Sequence, residues 1–205
     1  MIGELYESAL AGLDIVQIEY AGGLRRALPT QEWLALRPGD TTLLDRCAGP
    51  TLDVGSGPGR LTVALAERGM PALGIDITPY AVAMTRAAGG LALQRDVFGP
   101  VPGAGRWETV LLADGNIGIG GDPVSLLRRA RRLLARGGRI VVEVEAPGVP
   151  SRTEDVRLRT AGARSDWFRW AHVSVDDIAE LAARSAAQVI EGWEVPGRWF
   201  CTLRT

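Results

Sequence analysis

The sequence predicts an α/β fold: a doubly wound, mostly parallel sheet preceded by an N-terminal helical layer and closed by a C-terminal antiparallel strand pair. Three observations carry this expectation. Strand-like and helix-like patterns alternate regularly from Thr51 onward. The apolar stretch Thr51-Leu52-Asp53-Val54 runs straight into the glycine-rich turn Gly55-Ser56-Gly57-Pro58-Gly59. The run Ile140-Val141-Val142 is continuously apolar, as a strand covered on both faces is.

Bulk composition narrows the function classes. At 205 residues, 46% hydrophobic and 23% charged, the chain suits one domain and is short for two. All 23 of its basic residues are arginines and the formal net charge is -1, which gives no support to nucleic acid as the main partner. No basic run followed by an apolar one opens the chain, and no apolar stretch approaches bilayer length, so cytoplasmic residence away from membranes is expected. Cys47 and Cys201 stand alone, with no Cys-x-x-Cys pair, so both are expected reduced and no metal site is predicted.

Residues 4 to 27 give a broken helical pattern ending at Gly22-Gly23, read as two short helices or a helix and a loop. Pro29-Thr30 and Pro38-Gly39-Asp40 supply caps for two further helices, the second through Thr41-Arg46. Then follow a strand over 50–54, a helix over 60–68, a strand over 71–75, a helix over 79–88 and a strand over 91–94. A strand over 107–113 leads to a helix over 123–135, opened by Asp122 as cap and Pro123 at its first position and stopped at Gly137-Gly138. The central strand 139–145 comes next. Residues 150 to 165 are arginine-rich without strong periodicity, and Trp167 to Ala171 reads as a short extra strand. Ser174 caps a helix over 175–185 with Asp176 and Asp177 in its first turn, where the helix dipole favours them. Residues 187–194 and 198–203, separated by Pro196-Gly197, form the terminal strand pair.

The chemistry begins at the glycine turn. Gly55, Gly57 and Gly59 remove side chains where the backbone must turn sharply and a ligand must approach it closely, just ahead of a helix whose first amides are free to donate. Asp53, at the end of its strand, is placed to accept from an ammonium group or a water bound to it. Asp76 closes the second strand, where one carboxylate can accept both hydroxyls of a ribose.

The order Leu52-Asp53-Val54-Gly55-Ser56-Gly57-Pro58-Gly59, then Leu73-Gly74-Ile75-Asp76, then Arg95-Asp96-Val97-Phe98, then Val110-Leu111-Leu112-Ala113-Asp114, then Leu133 to Arg139 resembles the class I S-adenosylmethionine-dependent methyltransferases of small-molecule type, over roughly residues 45 to 145. The resemblance implies a Rossmann-like sheet and S-adenosyl-L-methionine as cofactor. It also implies that Asp76 is the ribose-binding acid, that Asp96 accepts from the adenine amino group and that the Val97 amide donates to the ring. Ile77 and Phe98 are placed to form an apolar slot for the purine. On this reading residues 1–48 are a lid or cap layer, 49–145 the cofactor-binding core, and 146–205 an acceptor-side insert with the terminal strands.

Two other classes stay open. A nicotinamide-dependent oxidoreductase also joins strand, glycines, helix and acid, although its fingerprint wants a third small residue where this chain has Arg60. A protein that binds the cofactor without methylating is the other.

Methyl transfer needs an acceptor held near the methyl group, water excluded and, for oxygen or nitrogen acceptors, a proton taken up. Asp114 and Asn116 follow the fourth strand at its ligand-bearing end, and are expected to line the site, Asp114 facing both cofactor and chemistry. His172, the only histidine, is a candidate base or a packed ring among Trp167, Phe168 and Trp170. Glu143 and Glu145 share one face of the fifth strand; Glu145 is the catalytic candidate, and Glu143 is expected to form an ion pair, with an arginine of the N-terminal layer as one partner. Tyr20, Trp167 and Arg152 are candidate substrate contacts with Asn116. Tyr6, Tyr20 and Trp33 suit either a lid or the core of the N-terminal layer, and the arginines at 152, 157, 159, 164 and 169 suit either an anionic substrate or a solvated face. No Asn-Pro-Pro-Tyr stands at residues 114 to 117 and no Pro-Cys pair occurs, which speaks against methylation of DNA bases. The expected function is metal-independent methyl transfer to a small molecule.

Overall fold

The computed structural model describes residues 2–205. The N-terminal part is not purely helical. Helix α1 (Ile2–Leu10) is followed by a hairpin of β1 (Gln17–Tyr20) and β2 (Arg25–Ala27), then a 3-10 turn (Thr30–Trp33) and helix α2 (Asp40–Leu44). The expected all-helical layer is thereby corrected. The segment Gln17-Ile18-Glu19-Tyr20 alternates polar and apolar residues, which puts Ile18 and Tyr20 on one face of a strand.

The core alternates as predicted: β3 (Thr51–Val54), α3 (Arg60–Glu67), β4 (Ala72–Asp76), α4 (Pro79–Ala87), β5 (Ala92–Gln94), β6 (Trp107–Leu112), a second 3-10 segment (Asn116–Gly121), α5 (Pro123–Leu133) and β7 (Leu134–Val144). Asp122 caps α5 as expected, accepting from the Ser125 amide at 3.0 Å. The helix ends four residues earlier than Gly137, because Leu134 to Arg136 already extend along β6, with an irregularity between Trp107 and Thr109. The C-terminal part holds β8 (Arg152–Arg159), β9 (Phe168–His172), α6 (Ile178–Arg184), β10 (Gln188–Val195) and β11 (Arg198–Arg204). The aperiodic, arginine-rich stretch is thus an eight-residue strand.

The main sheet runs β10-β11-β7-β6-β3-β4-β5, parallel from β7 to β5, with β11 antiparallel to β7 and β10. Its two faces are written in alternation. Leu52, Val54, Val110, Leu112, Ile140 and Val142 pack with Leu126, Leu127 and Leu133 of α5. Leu111 and Val141 point the other way, onto Leu43 and Leu44 of α2 and Leu61 and Leu65 of α3. Burying each such side chain contributes about 1.5–3 kcal/mol, so the sheet is held by its helices and not by its edges.

A second, antiparallel sheet has the order β2-β1-β8-β9. The insert after β7 and the hairpin before β3 build it together, although more than a hundred residues separate them. On its outer face Glu19 is buried among the guanidinium groups of Arg25, Arg157 and Arg159, at 3.2, 2.7 and 3.2 Å. Arg157 and Arg159 therefore bind the sheet together and neither greets an anion nor forms a loose solvated face.

Candidate active site

The chain reverses its direction of winding at β3, which has β4 on one side and β6 on the other, and open α/β sheets place ligands at that switch. A cavity of about 920 Å³ lies there, between the carboxyl ends of β3, β4, β6 and β7 and the inner face of the second sheet. That volume is near the top of the roughly 300–1,000 Å³ range of small-molecule pockets.

The floor is the glycine turn. Gly55 and Gly57 adopt φ of 69° and 53°, in the left-handed region, and both line the cavity. A Cβ on Gly55 would stand 2.8 Å from the Asn116 amide nitrogen; one on Gly57 would stand 3.2 Å from the Tyr6 hydroxyl. Asn116 lines the cavity as expected, and its Nδ2 donates to the carbonyls of Val54 and Gly55 at 2.9 and 3.0 Å, so it also clamps the turn. Gly59 does not reach the cavity, because its missing Cβ makes room for Thr85 of α4, 2.4 Å from where that atom would be.

Asp76 is buried and lines the cavity. Its Oδ2 accepts from the Gly57 amide at 2.9 Å, while Oδ1 accepts from the amide and hydroxyl of Thr78 at 2.9 and 2.5 Å. The carboxylate thus fixes the turn and keeps acceptor capacity on Oδ2. Ile77, Asp96 and Val97 also line the cavity. Arg129 holds the loop beyond β5 by donating to the carbonyls of Val97 and Gly99 at 2.7 and 2.6 Å. Phe98 is displaced to the rim, against Gly120.

Asp53 faces away from the cavity. Strand alternation turns it toward α3, opposite to Leu52 and Val54, and it accepts from the Thr62 hydroxyl at 2.7 Å. Burial pushes its pKa up to about 6, against the opposing hydrogen bond from Thr62. It does not line the cavity, although its place in the sequence suggested a ligand contact.

Asp114 lines the cavity but is not free to act as a base. Its Oδ1 accepts from Arg37 at 2.6 Å and from Arg60 at 3.0 Å, its Oδ2 from Arg60 at 2.6 Å. The residue sits at φ 55°, a strained conformation for a side chain other than glycine, held there by its amide donating to Glu143 Oε2 at 2.8 Å. Glu143 accepts in turn from Arg198 at 2.8 and 2.9 Å, and Arg37 of the N-terminal part lies 3.6 Å away. Fully buried Asp40 completes the set, accepting from Arg60 at 2.8 Å and Arg198 at 2.7 Å. Burial pushes the Asp40 carboxyl up, but its hydrogen bonds from Arg60, Arg37 and Arg198 outweigh this and hold it below the usual range. Three carboxylates and three guanidinium groups thus balance under one end of the cavity. A buried set of this kind fixes geometry more than it adds stability.

Those three arginines and Asp40 carried no spacing signal in the sequence, since they come from positions 37 to 198. Arg37 Nε is buried without a partner among the described residues, and Arg37 lines the cavity. Burial, and then the charges of Asp76 and Asp114, push the pKa of the Tyr6 hydroxyl up, so it stays a hydrogen-bond donor. Acceptor carboxylate, glycine cradle and unpartnered guanidinium nitrogen together suit a ligand with a ribose at one point and an amino-acid group at another. That is the donor and acceptor set S-adenosylmethionine requires.

The roof supplies the other end. Tyr20, Phe168, Trp170 and His172 come from its inner face, and Trp199 from β11. His172 Nδ1 lies 3.1 Å from Glu145 Oε1; a carboxylate only accepts, so Nδ1 carries the proton. This bond, working against burial, holds the Glu145 carboxyl below its ordinary range. His172 Nε2 is buried without a hydrogen-bond partner among the described residues, 3.7 Å from Glu154, which accepts from Arg152 at 2.8 Å. The imidazole is therefore flanked by two carboxylates, and Glu145 is the titratable group that opens into this end. Arg152 props Glu154 and does not line the cavity. Trp167 is also outside it, exposed beneath the Arg157 guanidinium, whose carbon is 4.3 Å from the ring centre. Tyr6, Tyr20 and Trp33 all line the cavity, and Tyr6 also packs against the core of the N-terminal layer, beside Leu5, Ala9 and Val16.

Among the described residues no helix is long and apolar enough to cross a membrane, and no three His, Cys, Asp or Glu side chains gather as a metal site.

Comparison with known proteins agrees with this geometry. A family model described as a methyltransferase domain matches residues 52–142. Uncharacterized proteins of Mycobacterium tuberculosis and Mycobacterium bovis are 29% identical over 185 residues, which is 89% of this chain and 61% of theirs, so the chain spans about three fifths of the length of these relatives. A S-adenosylmethionine-dependent methyltransferase from Bacteroides fragilis, solved with S-adenosyl-L-homocysteine, superposes with a TM-score of 0.78 at 22% identity over 98% of this chain and 93% of its own. A 1,6-didemethyltoxoflavin-N1-methyltransferase from Burkholderia thailandensis, solved with its substrate and S-adenosylhomocysteine, gives 0.63 at 21% identity over 85% and 80%. The resemblance and the mostly parallel Rossmann-like fold expected from the sequence are borne out.

Proposed function

We propose that this chain, whose residues 52–142 match a methyltransferase-domain model, transfers a methyl group from S-adenosylmethionine to a small molecule held beneath the second sheet. The observation that carries the reading is the Gly55–Gly57 cradle tied at 2.9 Å to Asp76, opening into a cavity shared with an aromatic roof. When bound, S-adenosylmethionine supplies a methyl carbon made electrophilic by a positively charged sulfur. Every other requirement falls to this chain's residues.

Asp76 receives a ribose hydroxyl at Oδ2, and Asp96 with the Val97 amide receives the adenine, with Ile77 against its face. Tyr6 and Arg37 hold the amino-acid end above the balanced ion network. The roof excludes water, and the aromatic rings orient the acceptor, which is where most of the rate advantage of such a reaction arises. Glu145 takes the acceptor's proton at its carboxylate, and His172 acts as a positioning residue that fixes Glu145. No step needs a metal, and the protein works in the cytoplasm.

Calorimetry with S-adenosylmethionine, S-adenosylhomocysteine and NAD tests the claim. The two sulfur compounds are expected to bind and NAD is not. Absence of binding by both sulfur compounds refutes it. A gain of one methyl mass on an acceptor separates transfer from binding alone.

A further inference from the structure

The two ends of the cavity differ in how their charges are matched. At the cofactor end Asp40, Asp114 and Glu143 are each engaged by arginine. At the roof end one carboxylate remains available. The Glu145 side chain is 45% exposed and lines the cavity. Only its Oε1 is engaged, by His172, so Oε2 has no partner among the described residues.

Nothing nearby cancels that charge by contact. The His172 Nδ1–H is a single donor, and its second nitrogen is closed off beside Glu154. The Arg152 guanidinium is engaged by Glu154. Arg26 sits on the exposed strand β2, with its guanidinium carbon 5.9 Å from the centre of the Tyr20 ring. The side chain of Arg169, which lines the cavity, belongs to an exposed residue, so solvent screens its charge. Tyr20, Trp170 and Trp199 line the same cavity, Tyr20 with its ring centre 6.4 Å from that of His172, and aromatic ring faces attract a cation and repel an anion.

We propose that the acceptor is an amine: a molecule with an apolar or aromatic body, bound as its ammonium ion, whose nitrogen is held by Glu145 while its body lies among the aromatic side chains of the roof. This rests on the methyl-transfer reading and names the substrate class of the same site. A phenolate or carboxylate acceptor would be brought against a like charge, and a neutral hydroxyl would hydrogen-bond the carboxylate without the attraction of a full opposite charge. The proton balance closes. The ammonium passes one proton to the Glu145 carboxylate, giving a free amine and a carboxylic acid. The nitrogen lone pair then forms the new N–C bond as the methyl–sulfur bond breaks and its electron pair returns to sulfur.

The test is calorimetry on protein loaded with S-adenosylhomocysteine, using phenethylamine, phenethyl alcohol and phenylacetate as probes of matched shape and different charge. The amine is expected to bind at least about tenfold more tightly than the alcohol, because the ammonium adds the attraction of opposite charges to the hydrogen bond that the alcohol also makes. Phenylacetate is expected to bind most weakly. In Glu145→Gln the amine is expected to fall to within about threefold of the alcohol, with affinity for S-adenosylhomocysteine unchanged. The proposal is overturned if the amine does not bind the loaded protein, if the alcohol or phenylacetate equals it, or if the preference survives in Glu145→Gln. Failure to load S-adenosylhomocysteine at all would instead refute the methyl-transfer reading.

Discussion

Asp76→Asn separates what this carboxylate does for the fold from what it does for the cofactor. The carboxylate accepts three hydrogen bonds: one on Oδ2 from Gly57 and two on Oδ1 from Thr78. An asparagine can keep its carbonyl oxygen toward Thr78 only by turning its NH2 toward the Gly57 amide, donor against donor. The flipped amide strands Thr78 instead. Either way a buried donor loses its acceptor, at a cost of about 1–3 kcal/mol of folding stability. The cofactor loses more. One oxygen able to accept from ribose becomes a donor group, and a charge-assisted hydrogen bond is worth about 1.5–3 kcal/mol, so its loss amounts to roughly a ten- to a hundredfold fall in affinity. Urea unfolding measures the first effect, and calorimetry with S-adenosylhomocysteine under conditions where the variant is folded measures the second. An affinity within threefold of the parent protein in a folded variant would refute the placing of the ribose at Asp76.

Two further outcomes follow from the same geometry. The Asp53 carboxyl is fully buried and its pKa is raised from 3.8 to about 6, so between those values the folded state binds the proton that the unfolded state releases. Stability from this group is therefore greatest below about pH 4 and declines as pH rises through about 6, by about 3 kcal/mol in all. Subtracting the urea-derived stability of Asp53→Asn from that of the parent at each pH from 4 to 7 cancels the other carboxylates and should show this decline; parallel profiles would refute it. Gly118→Ala would place a Cβ 2.2 Å from the carbonyl oxygen of Ala171 on β9. We expect a stability loss of about 1–3 kcal/mol from overpacking and a fall in methyl transfer, with affinity for S-adenosylhomocysteine held within threefold. Unchanged turnover would show that β9 does not set the acceptor position.

The core could be read from sequence because its signals are local. Val54 to Gly57, Asp76 and Asp96 each sit where a strand ends, and the apolar run at 140–142 needs no partner to be recognised. The roof could not. Strand β1 is four residues long and β2 three, too short for period 2 to stand out, and Ile18 pairs with Leu158 across 140 residues of chain. Asp53 was misplaced for a different reason. Its alternation with Leu52 and Val54 already directed it toward the α3 side of the sheet, but its neighbourhood to the glycines suggested a ligand. Charge pairing was the least legible feature, since Arg198, Glu143 and Asp40 meet only after β11 has folded back along β7.

The segment Asn116–Gly121 joins the legible half of the site to the illegible half. At its start Asn116 Nδ2 holds the carbonyls of Val54 and Gly55, and so sets the cofactor turn. Gly118, two residues on, is bare because the Ala171 carbonyl and the Trp170 indole of β9 pass directly over it, and Gly121 is bare because Arg169 does the same. Gly118 and Gly121, which as a sequence suggest a slack loop, are places where the roof presses down. One short segment thus sets the position of the methyl donor's cradle relative to His172 and Glu145. In a displacement reaction the distance between donor carbon and acceptor atom governs the rate, and an error of about 1 Å costs on the order of a hundredfold. On the methyl-transfer reading the roof's fit to this segment is a catalytic requirement as much as a structural one, and it explains why Gly118 and Gly121 stand where the chain passes beneath β9, while Gly120 makes room for Phe98.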